Sequence, residues 1–370
     1  MKKFNLFLIL AAAITVSFAG YVLFGGGLDN TSSRTGTILD KFGGKETNNN
    51  EQKAVDEKGA PLLLSSRQVI SPTKSSNSGN VLYYDKNTGN LYELNLADKT
   101  ERLVSGRPLN DLLGIIWSPL KRSALGLFYE ENASTFKYLD TATDKETGLD
   151  SNIRSVAFSP DGNLVAAYYF FEGTPNLDDS NPTSGNIGKI VLSQPDGTSG
   201  KKIFNTRLKN LELSWPISNK IAVKNNSSEI FLLTENGEFK KLLGQKVSLR
   251  ESWSPSGKKL LFSSLFADEQ GLVRSMLWMK DIESEEEIAL DIEGDASLCA
   301  WSKDDVNFIC ALQKSPSIDE LYLVNSQNGS KKIVAEPNML VWELFLSSLE
   351  EYVIFTNTAD EKLYSIKIGD

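Results

Sequence analysis

The sequence contains no histidine. That absence removes Ser-His-Asp and Cys-His nucleophile activation, histidine metal ligands and the usual general base near neutral pH. Cysteine occurs only at Cys299 and Cys310, too few for a four-ligand zinc site. Positive charge is in deficit, with 39 Lys+Arg against 48 Asp+Glu and a net charge of −9. Binding a phosphate backbone needs a cationic surface that releases counterions, so this balance argues against a nucleic-acid partner. The acidic residues are dispersed, as on a solvated surface that keeps a domain soluble. Hydrophobic content is 40%, enough for a sizeable core.

One long uncharged run is present, from Phe4 to Phe24, preceded by Lys2 and Lys3. As a helix rising about 1.5 Å per residue it spans a bilayer core of roughly 30 Å. The lysines should stay cytoplasmic, which exports everything after them. Ser17-Phe18-Ala19 also reads as a cleavage site, but Tyr21 to Phe24 carries the apolar run past it and favours an uncleaved anchor. Residues 1–24 are therefore expected to be a transmembrane signal anchor. Residues 25–59, polar and including Asn48, Asn49 and Asn50, are expected to be a disordered linker. As a flexible coil its ends would lie about 30–35 Å apart.

Beyond Pro61 the chain repeats. One unit reads Trp253-Ser254-Pro255-Ser256-Gly257, another Phe158-Ser159-Pro160-Asp161-Gly162. Trp117-Ser118-Pro119 and Trp301-Ser302-Lys303-Asp304-Asp305 open two more, and weaker copies begin at Ile70, Ser214 and Leu346. The spacings of 47, 41, 56, 39, 48 and 45 residues fall in the range of a propeller blade. Within a unit an apolar strand ends in an aromatic residue, and Pro and Gly supply the turn dihedrals. Three further strands follow, for example Lys259 to Ser263, Glu229 to Leu233 and Phe239 to Leu243. The four antiparallel strands are called A to D, A being innermost.

The pattern aromatic-Ser-Pro-Asp-Gly-x-x-Leu, followed by a Leu-Tyr-type third strand, resembles the WD-like repeat of TolB-type periplasmic propellers. It is also similar to the repeat in propeller domains of prolyl oligopeptidase-like enzymes. The resemblance covers residues 60–370 and implies fold more than function. TolB-like proteins add an N-terminal α/β domain and have six blades, whereas this chain has a linker and seven marks. Partner-binding residues therefore do not transfer, and no stretch remains for a peptidase catalytic domain. The expected fold is an all-β, seven-bladed propeller of four-stranded antiparallel blades in residues 60–370, preceded by the transmembrane helix.

Ring closure is also expected from the sequence. The last unit runs through Trp342 to Leu346, Tyr352 to Asn357 and Lys362 to Ile368 and lacks an outer strand. Ala60 to Ser65 is available to supply it, which would remove an exposed sheet edge. Trp117, Phe158, Trp253 and Trp301 read as packing between blades, not as a cofactor box. Cys299 and Cys310 should face each other across an A–B hairpin. Counted from a two-residue Asp304-Asp305 turn they form a hydrogen-bonded pair, where a disulfide is less comfortable. That reading favours two buried thiols over a disulfide, although export would favour the bond.

The insertion from Glu172 to Lys189 is rich in oxygen ligands but lacks EF-hand spacing, so a mobile loop is favoured over a calcium site. Ser71-x-x-Lys74 and Ser199-x-x-Lys202 match a Ser-Lys pattern in strand-turn contexts, whereas that chemistry starts a helix. No carboxylate pair stands out. The B–C loops and D–A connectors are longer than the turns on the opposite face. Among them Leu177, Asp178, Asp179, Leu265, Phe266, Leu272, Ile318 and Met339 are candidate partner-binding residues. The sequence thus points to a membrane-tethered, extracytoplasmic platform without catalytic residues, cofactor or metal. Its expected partner is a protein, with a glycan or peptide as further possibilities. The alternatives are a carboxylate-dependent, glycoside-type enzyme at the channel mouth and a structural component of the cell envelope.

Overall fold

The computed structural model describes residues 59–76, 79–171 and 187–368. The expected transmembrane helix at 1–24 and all of the expected linker except Gly59 lie outside the described residues. Among the described residues no helix is long and apolar enough to cross a membrane. Strands account for the regular structure of the described residues, apart from a short 3-10 turn at Ala296–Leu298.

The serine of each repeat explains its own turn. In the units at Ser118, Ser159, Ser254 and Ser347, the serine N–H donates to the carbonyl five residues on. The serine Oγ in turn accepts that residue's N–H, at 2.9 Å for Leu164 and 3.1 Å for Tyr352. A buried hydroxyl thus closes the A–B turn from inside, which an alanine would not do. In the first unit the strand runs past Ser71-Pro72, with a register irregularity between Ile70 and Thr73. The turn forms later, where Ser75 N–H donates to the Asn80 carbonyl at 2.8 Å. Proline lacks the N–H a ladder needs, so Pro72 sits at the irregularity and the repeat mark shifts to Ser75.

Five antiparallel sheets hold four strands each. The sixth sheet holds seven, in the order Val341–Leu346, Tyr352–Asn357, Lys362–Lys367, Pro61–Lys74, Val81–Asp85, Leu91–Leu94, Glu101–Ser105. Its middle strand serves two units. Pro61, Leu62 and Leu63 pair with Ile366, Ser365 and Tyr364, while Val69 to Lys74 pair with the strand Val81–Asp85. The segment from upstream of the first repeat therefore lies on the C-terminal sheet, in the slot expected of it.

The core lies between neighbouring sheets. Tyr168 and Ile190 pack with Leu213, Trp215 and Ile221 of the next unit. Leu64, Val69 and Tyr83 pack with Ile354 and Leu363 across the junction of the termini. Trp117 stacks on Tyr84 of the preceding unit at 5.6 Å, and its indole donates to the Ser71 carbonyl at 2.7 Å. These aromatics are packing between sheets, as the sequence suggested.

Cys299 and Cys310 are joined by a disulfide, with Cα atoms 4.1 Å apart. The preference for free thiols is corrected by the turn. Ser302 N–H donates to the Asn307 carbonyl, so four residues, not two, form the loop. This moves the hydrogen-bonded pairing by one residue and makes Cys299–Cys310 a close, non-hydrogen-bonded pair.

Candidate functional site

The inner strands enclose a cavity of about 1000 Å³. Its wall comes from residues 68–71, 112–117, 155–158, 212–215, 251 and 342–343 of six separate units. It extends from Pro119 in one A–B turn to Thr358 and Ala359 in a B–C turn, the length of an inner strand. A cavity of this size accommodates a ligand of drug or oligosaccharide dimensions.

Four glutamates line it: Glu212, Glu251, Glu343 and Glu361. Glu361 is paired with Lys86 at 2.5 Å near a mouth of the channel. Glu212 opposes Lys224 across its hairpin and is paired with it at 2.5 Å. Glu251 lies on the neighbouring inner strand Arg250–Trp253, with one oxygen 3.4 Å from the Ser214 hydroxyl. Its other oxygen, Oε2, is buried with no hydrogen-bond partner. Burial raises the Glu251 carboxyl above its usual range, against the opposing pull of Lys224.

Glu343 owes its position to a bulge. The strand Val341–Leu346 pairs with Tyr352–Asn357, but its register shifts between Val341 and Leu344. Trp342 and Glu343 fall in that irregularity, where the Glu343 N–H donates to the Thr356 Oγ1 at 3.1 Å instead of to a ladder carbonyl. Bulges re-aim side chains, and here both residues line the cavity. Glu343 lies deep in the protein yet touches channel space. Desolvation pushes its carboxyl up to about 7. A carboxyl at that value is half protonated at neutral pH and can donate or accept a proton there, the role histidine would otherwise fill.

The sequence missed these carboxylates as a group. The available signal was an acidic residue on an inner strand next to the repeat aromatic, as in Glu251 before Trp253. Glu343 beside Trp342 is the same juxtaposition displaced by the bulge. Among the described residues no cluster of three or more metal-ligating side chains forms.

The residues singled out from sequence do not gather at the cavity. Leu177, Asp178 and Asp179 lie outside the described residues. Leu265, Phe266 and Leu272 belong to a protruding hairpin of strands Lys259–Ala267 and Val273–Asp281, where a loop was expected. Phe266 is 59%, Leu272 53% and Val273 57% exposed there. Ile318 is half-buried at a two-residue turn, opposite Ser315. Met339 packs on the core around Val341 and Leu346 and accepts a hydrogen bond from Asp319 N–H. The expected loops at 265–274 and 313–319 are hairpins of paired strands, and the insertion at 172–186 lies outside the described residues.

No protein-family model matches the sequence, and no curated protein matches it. Among solved structures, an oligogalacturonate lyase in complex with manganese matches at TM-score 0.62 and 15% identity, over 84% of this chain and 93% of the lyase. The β-propeller domain of the Trilobed protease from Pyrococcus furiosus, described as having an open velcro topology, matches at TM-score 0.55 and 16% identity, over 82% and 96%. TolB from Acinetobacter baumannii matches at TM-score 0.46 and 14% identity, over 74% and 66%, too loosely to argue from. The expectation that the chain is no enzyme is corrected by these matches. A propeller covering nearly the whole of a lyase shows that this fold and size carry catalysis, and the absence of histidine closes only some routes to it. At such identities the likeness establishes the fold, and the chain is a β-propeller, as its repeats implied.

Proposed function

We propose that seven four-stranded blades close into a ring outside the cytoplasm, and that the channel through the ring is a ligand-binding and reaction site. Glu343 is its proton-transfer group. The observation that carries this reading is a carboxyl set by a bulge into a cavity of about 1000 Å³ and pushed up by burial to about 7. Trp342 and Trp117 give the wall apolar surface beside polar Thr356 and Asn357. That combination suits a carbohydrate, with its apolar ring faces and polar edges. Oligogalacturonate, the substrate class named for the lyase of like fold, is polyanionic. A wall with four glutamates disfavours it, so the ligand is neutral or cationic.

The disulfide and the basic-then-apolar N-terminus support an oxidising, extracytoplasmic location with the membrane as tether. The exposed tip around Phe266, Leu272 and Val273 favours a second role, docking of a partner protein beside the channel. A turnover screen of neutral and amino-sugar oligosaccharides tests the main reading. Glu343→Gln should lower kcat by 100-fold or more, about the value of one general acid or base. A substrate turned over equally fast by the variant would remove Glu343 from the chemistry.

A further inference from the structure

We propose that the channel takes a ligand bearing a protonated amine, with Glu251 as its counter-ion at the wall between the fourth and fifth repeats. This rests on the reading of the channel as a ligand site and names the ligand's charge. The charged side chains on the wall are Lys86, Glu212, Glu251, Glu343 and Glu361. Lys86 is held by Glu361. Lys224 is held by Glu212 at 2.5 Å and also acts on Glu251, so one cation serves two carboxylates. An excess of negative charge is therefore built into this wall.

The geometry at Glu251 shows what is missing. Oε1 has the Ser214 hydroxyl at 3.4 Å, while Oε2 is buried without a donor. The Trp253 indole N–H lies on the same side of the strand and bears on this carboxyl, yet forms no hydrogen bond of good geometry. A buried carboxylate oxygen without a donor is costly, and a turn of the Glu251 side chain toward the channel it lines would let a ligand N–H satisfy it. An ammonium fits better than a hydroxyl, because it also balances the second carboxylate. Trp117 and Trp342 line the same cavity, and aromatic rings attract cations. An anionic ligand would instead meet carboxylates on both sides. Burial raises the Glu251 carboxyl, and an ammonium beside it would oppose that rise as Lys224 does.

Titration calorimetry of the full chain with four probes tests this: a glucosamine trimer, an N-acetylglucosamine trimer, a galacturonate trimer and spermidine. The glucosamine trimer should bind about tenfold tighter than its N-acetylated form. Glu251→Gln should weaken the amine by about tenfold and leave the N-acetylated trimer unchanged. Ser214→Ala is a milder second variant that should weaken the amine less. Equal binding of the two glucosamine trimers, or tightest binding of galacturonate, would overturn the assignment. Spermidine binding as tight as the glucosamine trimer would support the amine and remove the sugar. No amine binding would also overturn it, while the Glu343 reading would still be judged by turnover.

Discussion

The junction of the two chain ends and the channel wall treat their polar groups in opposite ways. At the junction the charged side chains are partnered. Arg67 donates to Asp85 at 2.8 Å and to Glu101 at 3.1 Å, and its guanidinium lies 4.2 Å over the Tyr92 ring. The Tyr83 hydroxyl donates to Glu101 at 2.6 Å and lies 3.1 Å from the Ser65 hydroxyl. Burial alone would raise the Asp85 carboxyl, but hydrogen bonds from Arg67, Asn87 N–H and Thr88 N–H outweigh it and hold it low. On the wall, Glu251 has an oxygen without a donor and Glu343 is pushed up to about 7 by burial with nothing opposing it. A fold that pairs its charges at the seam and leaves carboxyls unpaired along the channel separates stability from function.

The seam should therefore dominate stability. Removing residues 1–66 takes away Pro61, Leu62 and Leu63, the outer partners of the strand Lys362–Lys367, along with buried Leu64. The last sheet is then left with an open edge. The expected loss is several kcal/mol or failure to fold, against no change for a chain starting at Gly59. Thermal melting of both forms decides, and equal melting would mean that the strand is ornamental.

The disulfide offers a covalent seam for comparison. It closes a short loop, with a sequence separation of 11. Its effect should be about 3 kcal/mol by chain entropy, smaller than loss of the closing strand. Replacing Cys299 and Cys310 together by alanine should lower Tm while ligand binding in the channel is kept. If binding fell instead, the sixth repeat would belong to the functional wall.

How much of this was legible follows from the same contrast. The closing strand could be read because an apolar run at Leu62 to Leu64 had only one unfilled slot to occupy. The interblade aromatics could be read because they recur once per repeat. The disulfide was misjudged by two residues of loop length, since a four-residue loop closed by Ser302 and a two-residue loop closed by Lys303 leave the same residues opposite each other. Glu343 was hidden because a bulge breaks the alternation from which side-chain direction is inferred. The hairpin at Leu265 to Val273 was taken for a loop because its exposed apolar residues lack the burial that usually accompanies strand pairing.

The smallest effect tests the contrast most directly, because seam and wall should respond to pH with opposite signs. Asp85 and Glu101 are held below the usual carboxylate range, so their contribution is present at neutral pH and fades as pH falls through that depressed range. The Glu343 carboxyl rises from an ordinary value of 4.5 to about 7. The folded state therefore binds its proton more tightly than the unfolded chain does. That contribution is complete below the ordinary value and is lost as pH rises to about 7. The full shift corresponds to roughly 3 kcal/mol, and contact with channel water should reduce the measured effect to about 1–3 kcal/mol. Glu343→Gln, which cannot ionise, should match the parent protein below about pH 4 and exceed its Tm at pH 8. Arg67→Gln should do the reverse, costing stability at pH 8 and less at pH 3. Parallel Tm-against-pH curves for the parent and Glu343→Gln would show that the carboxyl is hydrated as any surface glutamate is, and the wall would lose its distinction from the seam.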